Sequence, residues 1–358
     1  MLREKPMKRF VLATTAIVSA SGAYAGGVER SSQSVAILFE QGRYAELSFG
    51  RFSPDVSGTV GGGAVSSGDM AGDYNSWSLG YKMDIGDRMA LAMILDQPIG
   101  ANVNYPAGTG YPLGGSTAKL TSSAMTALLR YKFENNVSVY GGLRYETVHG
   151  DVALSSGYTL ETNHDSELGY VVGLAWEKPE IAARVALTYN SAIKHSLDSV
   201  EVGFPTSGFD TEVPQSLNLE FQTGIAKDTL LFGSIRWVDW TAFVINPPLY
   251  DAGAPLPLVN YASDRVTYNL GIGRRFNENW SGAVTFGYEK ADGELTGNLG
   301  PSDGMKSIGL AATYTMDNLK ISGGVRYVEI GDAVTELIGA NFSGNSGVGV
   351  GIKIGYTF

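Results

Sequence analysis

The sequence predicts an all-β chain, a 14-stranded antiparallel transmembrane β-barrel with a short N-terminal plug. Three observations predict it. Apolar and polar residues alternate with period two through segment after segment, the mark of strands with one apolar face. The connections between these segments are short and long in strict alternation. No run of about 18 apolar residues occurs, so a helix cannot span a membrane and strands would have to do so.

Composition narrows the class further. The chain has 358 residues, with 47 Gly, 19 Tyr, 14 Phe, 5 Trp and no Cys. Glycine without a three-residue period excludes collagen, and so many aromatics argue against disorder. The absence of Cys excludes a disulfide scaffold, a thiolate metal site and a cysteine nucleophile. The net charge of −10 argues against a nucleic-acid partner.

The first element is an address. Arg3, Lys5, Lys8 and Arg9 precede a short apolar run, Phe10 to Val18, and Ala23-Tyr24-Ala25 supplies a small-residue cleavage site. Residues 1–25 therefore read as a secretory signal peptide cut before Gly26. The alternative is a buried N-terminal helix. Removing residues 1–25 takes away four Lys/Arg and one Glu and leaves a net charge of −13.

Residues 26–43 do not alternate cleanly, and Val35 to Phe39 is too apolar for a free tail. Fourteen strands enclose a lumen wider than side chains alone fill. The segment reads as a plug within that lumen, with Glu29, Arg30 and Phe39 as its candidate contact residues. The other reading is a tail lying along the membrane surface.

Residues 44–358 carry the barrel. Fourteen alternating segments are predicted near 44–53, 77–83, 89–97, 117–132, 137–148, 167–176, 181–194, 215–225, 229–243, 266–276, 280–288, 306–315, 319–328 and 346–358. The last is clearest: Val348, Val350, Ile352, Ile354, Tyr356 and Phe358 alternate with Gly349, Gly351, Lys353, Gly355 and Thr357. Connections such as Asp84–Asp87, Phe133–Asn136 and Met316–Asn318 are short, whereas 54–76, 98–116, 195–214 and 244–265 run to roughly twenty residues. Outer-membrane barrels have this asymmetry, with short periplasmic turns and long outer loops. Tyr131, Phe133, Trp176, Phe276, Trp280, Tyr314, Tyr356 and Phe358 gather beside the short turns, as an aromatic girdle does at a membrane interface. Lipid offers no partner to a free strand edge, so the first and last segments must pair.

If the apolar set faces lipid, the other set faces the lumen. That set is basic, and Arg144, Arg184, Arg236 and Arg326 are the candidate ligand-binding residues in it. A solvated salt-bridge network is the competing reading. Pro98 and Gly100 mark a kink at the upper end of the third segment, because proline donates no ladder bond. The kink is either a gap in the wall or a plain strand end. Tyr105, Tyr111, Leu249, Leu256 and Leu258 make the long loops unusually apolar. They read as a capture surface, or as side chains that pack on each other and cap the barrel. His149, His164 and His195 are the only histidines, and no G-x-S-x-G elbow accompanies Ser155 or Asp165, so no enzyme, metal or cofactor is expected.

Three stretches then carry a resemblance. Leu187 to His195 contains Tyr189-Asn190-Ser191-Ala192-Ile193-Lys194-His195. Val213-Pro214-Gln215-Ser216 opens the next strand, and Trp237-Val238-Asp239-Trp240 follows. In this order they resemble the "Y-x-S-x-I-K-H", "P-x-S" and "W-x-x-W" elements of the FadL/TodX family of outer-membrane transporters for long-chain fatty acids and aromatic hydrocarbons. The resemblance covers nearly the whole chain. It implies passive transport of a hydrophobic small molecule: capture among the loops, a lumen site against an N-terminal hatch, and lateral release beside the kinked third strand. It also implies residence in the outer-membrane lipid of a Gram-negative cell and handling by the barrel-assembly machinery, whose C-terminal signal Phe358 resembles. The family's Asn-Pro-Ala signature is absent, with Ser34-Val35-Ala36 in that region. A general or anion-preferring diffusion porin is the alternative function.

Overall fold

A computed structural model describes residues 28–358. The expected signal peptide and the first two residues of the expected plug lie outside the described residues. Fourteen strands form one closed antiparallel sheet. They are β1 (Tyr44–Asp55), β2 (Tyr74–Ile85), β3 (Met89–Asp96, resuming as Gly100–Asn104), β4 (Thr117–Lys132), β5 (Val137–Ala153), β6 (Asp165–Lys178) and β7 (Ala183–Asn190). The second half comprises β8 (Ser216–Ala226), β9 (Thr229–Val238), β10 (Arg265–Arg275), β11 (Trp280–Glu289), β12 (Met305–Met316), β13 (Leu319–Ile330) and β14 (Ser346–Thr357). Each strand pairs with the next, and β1 pairs with β14 from Tyr44↔Thr357 to Asp55↔Ser346. Apart from one break between β2 and β3, closure removes the free edges from the lipid-facing band, which is what makes a sheet tolerable in hydrocarbon.

The closing seam shows why glycine is so abundant. Tyr44 and Phe52 of β1 turn inward and lie across Gly355 and Gly347 of β14, where a Cβ would collide with either ring. Both aromatic side chains are buried. Outward, Val348, Val350, Ile352, Ile354 and Tyr356 are exposed as the alternation requires. The girdle beside the short turns forms ring pairs: Tyr131 with Phe133 at 5.0 Å, Trp280 with Tyr314 at 4.9 Å and Tyr356 with Phe358 at 5.0 Å. A second set of exposed tyrosines, including Tyr145, Tyr170, Tyr268, Tyr288 and Tyr327, lies toward the long-loop end. Trp280 and Tyr288 are eight residues apart on β11, or about 27 Å along a strand. Tilted, that length matches the apolar band of an outer-membrane barrel.

Three predicted segments need correction. The segment at 229–243 ends at Val238. There Asp239 leaves the strand and Trp240 enters a 3₁₀ turn that buries its indole against Phe243 (5.8 Å between centroids) and Tyr261 (5.3 Å). The segment at 181–194 ends at Asn190. Ile193–Leu197 instead pairs with Phe209–Val213 as a separate ribbon. In both cases burial of large apolar side chains outweighs continuation of the ladder. The third segment is broken. Asp96 pairs with Ala124 and Gly100 with Thr121, so three residues of β3 face two of β4. This is a bulge, patched by the Ser122 hydroxyl, which accepts from Ile99 N (2.9 Å) and donates to Ile99 O (2.6 Å).

Candidate functional site: a segment in the lumen, a window in the wall and two cavities

Residues 28–43 run inside the barrel toward the short-turn end, and side chains of the wall hold them. The Glu29 carboxylate pairs with Arg236 of β9 (Nε···Oε1 2.6 Å), whose Nη1 also donates to Ser216 Oγ (3.0 Å) and Asn218 Oδ1 (2.6 Å). Ser31 donates to Asp96 (2.6 Å) and Ser34 to Glu220 (2.5 Å). Asn218 donates to Ser32 O (2.9 Å). Arg144 of β5 reaches Gln33 Oε1 (2.5 Å) and Thr126 Oγ1 (3.0 Å). Gln33 itself sits in left-handed backbone, φ 52°, a strain that its side-chain anchors offset.

The lower end of the segment is apolar. Val35, Ile37 and Leu38 join Tyr44, Leu128, Tyr140 and Val171 in one buried cluster. The Phe39 ring lies under the guanidinium groups of Arg130 (4.4 Å) and Arg184 (4.5 Å) and meets Tyr140 edge-on at 6.2 Å. Lys82, itself buried, then ties Glu40 O (2.6 Å) and Gly42 O (3.1 Å) to the wall. Of the four expected lumen arginines, Arg144, Arg184 and Arg236 are thus engaged by the segment. Arg326 stands apart on β13, bonded to Ser307 Oγ (2.8 Å).

The upper end of the same segment is joined to the kink. Arg30 N and Ser31 N both donate to Pro98 O (2.8 and 3.2 Å), and Gly100 N donates to Val28 O (2.7 Å). The kink also opens the wall. The β2–β3 ladder runs from Ile85↔Met89 only as far as Leu79↔Leu95. The two strands meet again at Gly72 N to Asn102 O (2.9 Å). Between these limits Tyr74–Ser78 of β2 has no ladder partner on β3, and Trp77 N donates instead to the Gln97 side chain (3.2 Å). The result is a window bounded above and below. Its residues Ser76, Trp77, Ser78 and Gln97 also line a cavity of about 270 Å³. That cavity reaches Arg184, Asn218, Glu220, Arg236 and Arg326 within the lumen.

A second cavity of about 210 Å³ lies above, and its walls are mostly apolar. It sits between two packed loop clusters. One contains Phe52, Met70, Val103, Tyr105, Tyr111 and Phe342; the other contains Ile99, Val238, Trp240 and Phe243, with Val259 and Tyr261 against them. Val28, Glu29, Arg30 and Gly100 contribute to its lining.

The loop residues singled out in the sequence divide accordingly. Tyr105 and Tyr111 are not a capture surface. They are buried and stack on each other (5.4 Å, 14°), and the Tyr105 hydroxyl donates to Asn298 O (2.5 Å). Leu258 is buried and lines the cavity, Leu256 is half-buried, and Leu249 is 45% exposed. The histidines do not converge on the cavities. His149 and His164 stack on each other at 3.9 Å, and buried His195 pairs with Asp165 (2.9 Å). Tyr74, Phe243 and Tyr261 line the upper cavity but went unnoticed in the sequence, where each looks like one more strand or loop aromatic. Asp96 was the readable signal: an acidic residue ending an apolar strand two places before a proline.

No family model matches the chain, and no curated protein matches its sequence. Solved structures do match its fold. A Pseudomonas aeruginosa FadL homologue superposes with a TM-score of 0.70 at 14% identity, over 90% of this chain and 92% of that one. The Pseudomonas putida toluene transporter TodX gives 0.65 at 12% identity, over 95% and 97%. The Ralstonia pickettii toluene transporter TbuX gives 0.62 at 15% identity, over 95% and 97%. The fold is therefore that of the FadL and TodX barrels.

Proposed function

We propose that this barrel transports hydrophobic compounds passively across the outer membrane. A ligand is captured among the loops, occupies the upper apolar cavity and leaves sideways through the β2–β3 window. The observation that carries this reading is an apolar cavity standing directly on the bonded junction between the lumen segment and the kinked strand. Each buried CH₂ stabilises binding by about 0.8 kcal/mol, so a long hydrocarbon tail suffices for affinity. The lower lumen is filled by the apolar cluster around Ile37 and Leu38, so a straight path to the short-turn end would have to unpack it. A sideways path only has to part Arg30 and Ser31 from Pro98. Two of the solved structures that share the fold are toluene transporters, which agrees in ligand class.

The test is lipid mass spectrometry of the purified, detergent-exchanged protein together with an oleate titration of tryptophan fluorescence. Trp240 packs beside cavity-lining Phe243 and Tyr261, and Trp77 stands at the window, so both steps are visible. Saturable quenching with a co-purified apolar ligand is expected. No bound lipid and no saturation, combined with open anion conductance, would reject transport of hydrophobic ligands in favour of a diffusion porin.

A further inference from the structure

Among the described residues, Arg30 alone lines both cavities. Its place in the wall is equally particular. The guanidinium lies over the Tyr74 ring, 3.1 Å from the centroid, and Nε donates to Gly100 O at 2.8 Å. Tyr74 belongs to the β2 lip of the window and Gly100 to the β3 lip. The side chain therefore bridges the two strands where their own ladder is missing.

Among the described residues, no acid pairs with Arg30 in this bridge. Glu29, the neighbouring carboxylate, is committed to Arg236. Arg30 Nη1 is buried and has no hydrogen-bond partner among the described residues. A guanidinium taken from water and not neutralised is costly, and a carboxylate is its best-matched partner, through charge-assisted bonds. An anionic head group arriving at the floor of the apolar cavity would supply what the protein does not. Satisfying it would draw Arg30 away from Gly100 O and from Tyr74.

The geometry points to Arg30 as the specificity-determining residue of this barrel: a staple across the β2–β3 window that an anionic head group releases. This rests on the transport reading above. Ligands with an apolar tail and one negative head would be bound more tightly, and would open the window, whereas neutral ligands of the same tail would bind without opening it.

The experiment compares two probes with one tail, dodecanoate and 1-dodecanol, by fluorescence quenching of the full barrel in detergent. Wild type should prefer dodecanoate by about tenfold, the size of one charge-assisted bond. Arg30→Gln should abolish that preference by lowering dodecanoate affinity about tenfold more than dodecanol affinity. Arg30→Lys should retain part of it. The chain has no Cys, so spin labels at Asn75→Cys and Ser123→Cys, both exposed beside the window, report the second step. A longer distance should appear with dodecanoate but not dodecanol, and in Arg30→Gln without any ligand. Tyr74→Leu removes the β2 half of the bridge and keeps the charge. It should open the window yet preserve head-group preference, which separates the two roles if Arg30→Gln folds poorly. An unchanged dodecanoate preference in Arg30→Gln, or a window indifferent to all of these changes, overturns the role of Arg30. Failure of wild type to bind either probe overturns the transport reading instead.

Discussion

A single carboxylate ties the outer loops together. Glu201 is buried and accepts from the Tyr158 hydroxyl (2.8 Å), Leu249 N (3.1 Å) and Tyr250 N (3.0 Å). Burial pushes its carboxyl up, but the Tyr158 hydroxyl and the backbone N–H groups outweigh burial and hold it below the ordinary value of 4.5. A depressed native pKa contributes stability that is fully present above the unfolded value and is lost as pH falls through the native one. Hydrogen exchange in the Pro248–Asp251 turn should therefore rise below about pH 4.5 beyond the intrinsic chemical rate, while the barrel strands stay protected. Glu201→Gln should raise exchange already at pH 7 and remove the pH dependence, by weakening contacts of about 1–3 kcal/mol. A turn with wild-type protection in Glu201→Gln would refute this role. Its role was not legible in the sequence, because the Tyr158, Leu249 and Tyr250 donors come from two other loops.

At the scale of elements, the lumen segment and the kinked strand act as one unit. Pro98 offers no N–H to a ladder, but its carbonyl takes two donors from the segment. The sequence marked the kink through Pro98 and Gly100, and the segment through its apolar Val35–Phe39 run. It did not reveal that they touch, since 65 residues separate Ser31 from Asp96 in the contact that seals them. Removing residues 28–40 should raise single-channel conductance in planar bilayers several-fold. Cavities of 210 and 270 Å³ would merge with the space of the apolar cluster and admit water through a lumen of this strand number. Unchanged conductance would mean that the segment does not occlude the path.

At the scale of the whole molecule, the barrel is held by lipid as much as by its own contacts. Leu310 is 57% exposed on β12 and pairs with Val284, which lies midway along β11 between Trp280 of the girdle and Tyr288 of the upper set. Leu310→Arg should destabilise the folded barrel by about 2–4 kcal/mol in vesicles, the cost of a cation near the midplane. The same change should be nearly silent at Leu249, which lies in a loop. Urea titrations of folding into vesicles measure both. Equal costs at the two positions would place the apolar band elsewhere.

The sequence by itself determined the strands, their number, which face of each meets lipid, and the end at which the turns are short. Those features depend on residues two apart or immediately adjacent, so alternation and turn chemistry suffice to read them. Even the errors follow this rule: Asp239 to Phe243 and Ile193 to Leu197 alternate well enough to be strands, yet leave the wall because partners far along the chain bury them. Only the tertiary structure decided the pairing of Glu29 with Arg236, the commitment of Tyr105 and Tyr111 to a loop core, and the window bridged by Arg30. Each joins positions tens to hundreds of residues apart. Curling the sheet into a closed barrel brings such positions together in one lumen, and no local periodicity encodes which of its inward side chains will meet.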